Sequence, residues 1–204
     1  MSARMLRAPL ALALLAAFAA HGAVAQSTPI VSGNATISTG AGNGATGAIT
    51  INETAGLDNA QSNQLALGTG ALGAGYVGLT QSATAHAHVG DTTTRIDGSA
   101  FSNISGALMV NQSAGAGNLQ RNSTVLGTLG AEVRAVSDTE LSETAPGHGG
   151  PGLPVGGRGV PEASISGDAF KHISGIVQVN QTSGAGNATA NSFVLRPPAG
   201  TLFN

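Results

Sequence analysis

Three copies of one 31-residue unit run through this chain, at residues 37–67, 96–126 and 165–195. The second and third copies match at 18 of 31 positions without a gap. The first copy is more divergent, but it keeps the same spacing of isoleucine, glycine, asparagine and leucine. A unit of this size cannot bury a hydrophobic face alone, so its copies must stack on one another. The repeat therefore predicts a layered architecture.

Each unit is predicted to contain two β-strands joined by a short arc. In the third copy, Val177 and Val179 alternate with Ile176 and Gln178, and a period of two is typical of a strand. A turn of small residues follows, and one glycine recurs there in every copy, where it suits a backbone with positive φ. These arc glycines are Gly56, Gly115 and Gly184.

Asparagines recur at fixed places in the unit. In the first copy Asn59, Asn63 and Leu67 are four residues apart, so they point the same way in a strand, and Asn52 closes the predicted first strand. In copies stacked in register, each amide donates to one neighbouring layer and accepts from the other, which satisfies it when buried. The alternative is that these asparagines only form turns. The predicted self-assembly ladder comprises Asn52, Asn59, Asn63, Asn111, Asn118, Asn122, Asn180, Asn187 and Asn191.

The first 25 residues are typical of a secretory signal peptide. Arg4 and Arg7 precede an apolar run at 8–20, and an A-x-A sequence predicts cleavage between Ala25 and Gln26. The apolar run is too short to span a bilayer, so no membrane insertion is predicted. We therefore expect the chain to be secreted through the periplasm to the extracellular space or the cell surface.

The repeats divide the rest of the chain into units and connections. Prolines are absent from the units and concentrated in the second connection, as expected if the units are paired strands, because proline cannot donate to a ladder. The predicted organisation is a signal peptide (1–25), an N-terminal lead (26–36), repeat unit 1 (37–67), a linker (68–95), repeat unit 2 (96–126), a Gly/Pro-rich linker (127–164), repeat unit 3 (165–195) and a C-terminal tail (196–204).

Composition excludes several classes of function. The formal net charge is −2 and there is no basic stripe, so no nucleic-acid partner is predicted. The absence of cysteine removes disulfides and thiolate metal sites. His86 and His88 could share a strand face, but a metal site needs further ligands. No catalytic pair or phosphate loop is present, so we predict no enzyme, no cofactor and no metal.

Isolated charges within the units are distributed like gatekeeper residues, which are charged residues that limit unwanted aggregation of neighbouring strands. Glu53, Asp58, Arg121 and Lys171 interrupt otherwise nearly neutral segments at positions that differ from copy to copy. Natural sequences place charges in this way beside aggregation-prone strands.

The units resemble those of the Fap functional-amyloid proteins of bacterial biofilms. The resemblance lies in VNQSAGAGNLQRN at 110–122 and its counterparts at 179–191 and 51–63, and in the order of signal peptide, three Gln/Asn repeats and variable linkers. It implies export through an outer-membrane pore, assembly into extracellular cross-β fibrils, and partnership with itself and related amyloid subunits. The C-terminal C-x-x-C of principal subunits is missing, so a major or a minor role stays open.

Curlins are a second resemblance. Ser174, Gln181, Gly184, Gly186 and Asn187 follow the curlin pattern with altered spacing. Curlin units are shorter and contiguous, whereas the units here are separated by linkers.

The predicted fold class is all-β, with stacked strand–arc–strand repeats as a β-solenoid or Greek-key-like cross-β layers and with flexible linkers. The predicted function is a secreted, self-assembling subunit of extracellular amyloid fibrils that support biofilm formation and adhesion. The alternative is a monomeric secreted β-solenoid adhesin that binds a glycan or a surface ligand.

Overall fold

The computed structural model describes residues 29–68, 81–83, 87–127 and 159–195. The predicted cleavage site at Ala25 and Gln26, His86, most of both linkers and the tail lie outside these residues. No helix long and apolar enough to cross a membrane is found in the described part. The described secondary structure is β1 (Ile30–Ile37), β2 (Thr46–Leu57), β3 (Ala60–Gly68), β4 (His88–Ile96), β5 (Ser105–Ala116), β6 (Leu119–Gly127), β7 (Pro161–Ile165), β8 (Ser174–Ala185) and β9 (Ala188–Leu195).

The nine strands form three parallel sheets of three strands each. Sheet A has the order β1-β4-β7, sheet B the order β2-β5-β8, and sheet C the order β3-β6-β9. Consecutive strands along the chain therefore belong to one layer, and the next layer repeats them: β1–β3 form layer 1, β4–β6 layer 2 and β7–β9 layer 3. The all-β, stacked-layer prediction is confirmed.

Equivalent positions of the three repeats lie directly in line. Asn52 pairs with Asn111 and Asn111 with Asn180 in sheet B, although 59 residues separate the first two and 69 the second two. Within sheet B and within sheet C, neighbouring strands pair without a register shift. The stacking register is therefore independent of the length of chain between layers.

A third strand per layer was not part of the two-strand prediction. Strands β1, β4 and β7 lie mainly in the segments assigned to the lead and the linkers, and their last residues, Ile37, Ile96 and Ile165, begin the predicted units. Pro161 is the first residue of β7. Proline is compatible with that position because the first residue of an edge strand need not donate to the ladder.

The hydrophobic core lies between sheets A and B. Because side chains alternate along a strand, β5 directs Leu108 and Val110 toward β4, where they pack with Ile96 in a fully buried cluster. The other face of β5 meets sheet C and carries Asn111. The apolar cluster thus lies on the sheet A side of the central strand, and the asparagine ladder lies on its sheet C side.

Aromatic side chains continue the apolar core into the turn before sheet B. The rings of Phe101 and Phe170 stack with their centroids 5.4 Å apart. Both residues have positive φ, 58° and 59°, a conformation that costs a bulky residue backbone strain. Burial of the stacked rings offsets that strain.

Both ends of the stack are open. Within the described residues, the strands of layers 1 and 3 have a hydrogen-bonded neighbour on one side only. Ile96 in the middle layer is fully buried, whereas its counterpart Ile165 in layer 3 is 47% exposed. Unpaired strand edges of this kind are templates for pairing with another chain.

Candidate self-assembly surface

Two asparagine ladders run through the stack between sheets B and C. In the first, the Nδ2 of Asn111 donates to Asn52 Oδ1 at 3.0 Å, and Asn180 repeats the bond to Asn111 at 3.0 Å. The second joins residues 63, 122 and 191, at 2.9 Å and 3.0 Å. The sequence placed Asn52 at the end of a strand, but β2 continues to Leu57, so the ladder runs through the middle of sheet B.

The two ladders are also bonded to each other. Asn122 Nδ2 donates to Asn111 Oδ1 at 3.0 Å and to the carbonyl of Val110 at 3.0 Å. Asn111 Nδ2 donates back to Asn63 Oδ1 at 3.0 Å and to the carbonyl of Ser62 at 2.9 Å. Buried amides must find partners, and here the partners come from the same layer and the next one. The network therefore joins sheet B to sheet C as well as layer to layer.

A third asparagine ladder lies at the arc. Asn118 Nδ2 donates to Asn59 Oδ1 at 2.8 Å, and Asn187 donates to Asn118 at 2.8 Å. The backbone N–H groups of Asn118 and Asn187 reach the same oxygens at 3.0 Å and 3.1 Å. These residues precede β3, β6 and β9, so this ladder holds the bend between sheets and lies apart from the other two.

Sequence reasoning missed a fourth ladder, on the apolar side of sheet B. Gln112 Nε2 donates to Glu53 Oε2 at 2.8 Å, and Gln181 Nε2 donates to Gln112 Oε1 at 2.8 Å. Gln112 also reaches the carbonyls of Ala35 and Arg95, which ties sheet B to sheet A. The signal was a glutamine shared by copies 2 and 3 directly after the ladder asparagine. It was obscured because copy 1 has Glu53 there.

All four ladders run in the same direction. In each, the amide nitrogen of a later layer donates to the side-chain oxygen of the layer before it. Layer 3 therefore presents side-chain oxygens at its open edge, among them those of Asn187 and Asn191. Layers 1 and 2 each receive amide N–H groups from the layer that follows. The open edge of layer 3 is therefore suited to a layer that supplies donors.

The arc glycines allow the layers to approach closely. Gly56, Gly115 and Gly184 have φ values of 122°, 120° and 114°, which L side chains rarely adopt. A Cβ built on Gly56 would lie 2.0 Å from the carbonyl oxygen of Gly115, and one on Gly115 would lie 1.9 Å from that of Gly184. On Gly184 the nearest atom would be Pro161 Cβ at 3.7 Å. The Cβ direction points to the following layer, and layer 3 is the last layer of the described stack.

The isolated charges differ in their environments. Arg121, one of the predicted gatekeepers, is only 1% exposed and donates from Nη2 to Gln64 Oε1 at 2.7 Å. Asp58 is exposed at the arc. Lys171 pairs with Asp168 at the surface, and the hydrogen bond from its ammonium group lowers the pKa of the Asp168 carboxyl.

Within the described ranges, no three His, Cys, Asp or Glu residues come together as a metal site.

Removal of two rungs from one ladder should loosen the stack. We expect the double variant Asn122→Ala and Asn191→Ala to lose about 1–3 kcal/mol of stability per amide, because it leaves buried partners such as the Val110 carbonyl unsatisfied. Urea denaturation measures the loss. Asn34→Ala is the control, since Asn34 is exposed and bonds only to nearby Thr36. Equal urea midpoints for the double variant and Asn34→Ala would show that this ladder does not stabilise the stack.

Comparison with known proteins gives a match to one family of functional amyloid proteins. The family model of the functional amyloid protein FapB/FapC family matches residues 16–198. That span includes all three repeat units and both connections between them. No solved structure matches the chain.

Proposed function

Because this chain belongs to the functional amyloid protein FapB/FapC family, we propose that it is a secreted subunit of extracellular fibrils that support biofilm cohesion and surface attachment. The observation that carries the proposal is the stack of three in-register parallel layers with two open ends. Strands stacked in this way, with the same side chains in line, have the arrangement of cross-β fibrils. The chain is a short segment of such a fibril.

The open ends favour joining of layer 3 of one copy to layer 1 of the next. The ladder positions of layer 3 face asparagines again in layer 1 of a second copy, because Asn52, Asn59 and Asn63 hold the equivalent places. The side of Gly184 that faces away from the chain is also free to receive a backbone carbonyl. Such a head-to-tail contact uses two different surfaces, and without rotation to close a ring it generates an open filament.

The remaining parts of the proposal follow from the family and the sequence. Residues 1–25 would direct export, with cleavage between Ala25 and Gln26, and an outer-membrane pore would release the chain. The partners are other copies of the chain and related amyloid subunits. The nine ladder asparagines and the three arc glycines serve assembly. We assign the chain a structural role, with no catalytic function.

Fibril formation by the mature chain tests this proposal. Purified residues 26–204 should convert from soluble protein to sedimentable fibrils that give a meridional reflection near ~4.7 Å. Seeds of the same protein should remove the lag, because a preformed layer replaces nucleation. A chain that stays monomeric at high concentration under agitation, with or without seeds, would contradict the proposal and favour the monomeric adhesin.

A further inference from the structure

The ladder formed by Glu53, Gln112 and Gln181 has one amide fewer than it has layers. Residues 53, 112 and 181 are paired in register in sheet B. Each glutamine donates its Nε2 to the layer before it, and Gln112 turns its Oε1 toward layer 3, where it accepts from Gln181. Glu53 ends the ladder at layer 1, where its Oε2 accepts from Gln112. A carboxylate can fill this place within the chain because only an acceptor is needed there.

At the other end, Gln181 has no donor left for a further layer. Its Nε2 group donates to Gln112 Oε1 at 2.8 Å and to the carbonyl of Ser164 at 2.9 Å, and an amide nitrogen has two hydrogens. Its Oε1 remains for whatever comes next. Inside the chain the equivalent oxygen of Gln112 receives an N–H. The following layer must therefore bring a donor to this position.

We propose that each junction between chains takes up one proton, held between Glu53 of the incoming copy and Gln181 of the copy before it. This inference rests on the head-to-tail assembly proposed above, which places the two residues in line. An ionised Glu53 is only an acceptor, so two oxygens would meet. A protonated Glu53 donates its O–H to Gln181 Oε1 and still accepts from its own Gln112. The other three ladders meet as asparagine on asparagine and need no proton.

Among the described residues, no charged group is placed to compensate a negative charge at the junction. Strands β2, β3, β5, β6, β8 and β9 carry no charged residue except Glu53 itself on β2 and Arg121 on β6. Arg121 lies on the face of β6 opposite to the ladder residue Asn122, and donates to Gln64. On sheet A, Arg95 and Glu162 pair with each other at 3.6 Å while about half exposed. The remaining titratable residues there, His88 and Asp91, are exposed.

The pH dependence of elongation follows from this balance. Because the junction takes up a proton, assembly is favoured at low pH and weakens as pH rises. Linkage limits the effect to about tenfold in critical concentration per pH unit for one proton. Glu53→Gln supplies the missing N–H and preserves the acceptor for Gln112, so it makes the ladder continuous across the junction.

Seeded elongation and sedimentation of residues 26–204 between pH 5 and pH 8 test the proposal. The unmodified chain should show a critical concentration that rises at least tenfold over this range, and Glu53→Gln should show little change and assemble better at pH 8. Asp58→Asn is the matched control, because it removes an exposed arc charge that belongs to no ladder, and it should keep the unmodified profile.

The outcomes separate the two proposals. The same pH profile for the unmodified chain and Glu53→Gln would overturn proton uptake at Glu53. Proton uptake would also be overturned if Asp58→Asn flattened the pH profile as much as Glu53→Gln, because that would indicate general charge repulsion. It would likewise be overturned if a divalent cation restored full assembly at pH 8, because a metal ion would then lie between the two oxygens. Absence of fibrils from every variant at every pH would instead overturn the fibril function itself.

Discussion

Gly115→Ala is expected to break the stack between layers 2 and 3. The added Cβ would lie 1.9 Å from the Gly184 carbonyl oxygen, and the backbone would retain a φ of 120° that alanine rarely adopts. Overpacking and backbone strain each cost about 1–3 kcal/mol, so we expect a loss of roughly 2–6 kcal/mol. That is a large fraction of the stability of a domain of this size. Urea denaturation followed by circular dichroism measures it.

Gly44→Ala is the control for backbone strain alone. Gly44 also has positive φ, 74°, but a Cβ there would meet nothing within 4 Å. It lies two residues before β2, as Asn103 lies two residues before β5, and Asn103 carries a side chain at a φ of 58°. We expect a small loss for this variant. A Gly115→Ala chain as stable as Gly44→Ala would show that the layers do not need this close approach.

Gly184→Ala is expected to strain its own backbone, whose φ is 114°, but to cause no clash within the three layers and to stop their extension. Its Cβ would be at least 3.7 Å from every other heavy atom of the described residues apart from its sequence neighbours. In a head-to-tail junction the same Cβ would meet the Gly56 carbonyl of the next copy, as Gly115 meets Gly184. A cost of ~3 kcal/mol at each junction corresponds to about a hundredfold rise in critical concentration. Sedimentation of the soluble fraction measures this.

The matched control for Gly184→Ala lies two residues later. Gly186 has a φ of 66° and open space around its Cβ, and layer 1 already carries the side chain of Asp58 at the place that follows β2. Gly186→Ala should therefore assemble normally. If Gly184→Ala elongates at the unmodified rate, the chains do not join through this edge of layer 3.

The sequence allowed prediction of the features that in-register stacking forces to recur. A ladder needs the same side chain in each layer, and a close approach needs glycine each time, so fixed spacing across three copies revealed both. Strands β1, β4 and β7 were not recognised as a recurring part of each layer, because their side chains need only alternate. The last four residues of the three strands, NATI, TTRI and EASI, share only the terminal isoleucine across all three layers.

The direction of the ladders could not be predicted from the sequence. An asparagine can donate either way along a stack, and only the bonds to the Val110 and Ser62 carbonyls select one orientation. The fourth ladder was missed for a related reason. Glu53 and Gln112 differ in chemistry, but both accept a hydrogen bond, and pattern matching treats them as a mismatch.

Because the stacking register does not depend on the length of the connections, each chain would advance a fibril by a constant distance. With ~4.8 Å between strands, three layers advance the filament by ~14 Å per chain, whether 59 or 69 residues separate equivalent positions. Anything carried by a connection, including an inserted peptide or enzyme, would then recur every ~14 Å along the filament. The repeat thus sets the density of display on the fibre surface, while the connections are free to change what is displayed.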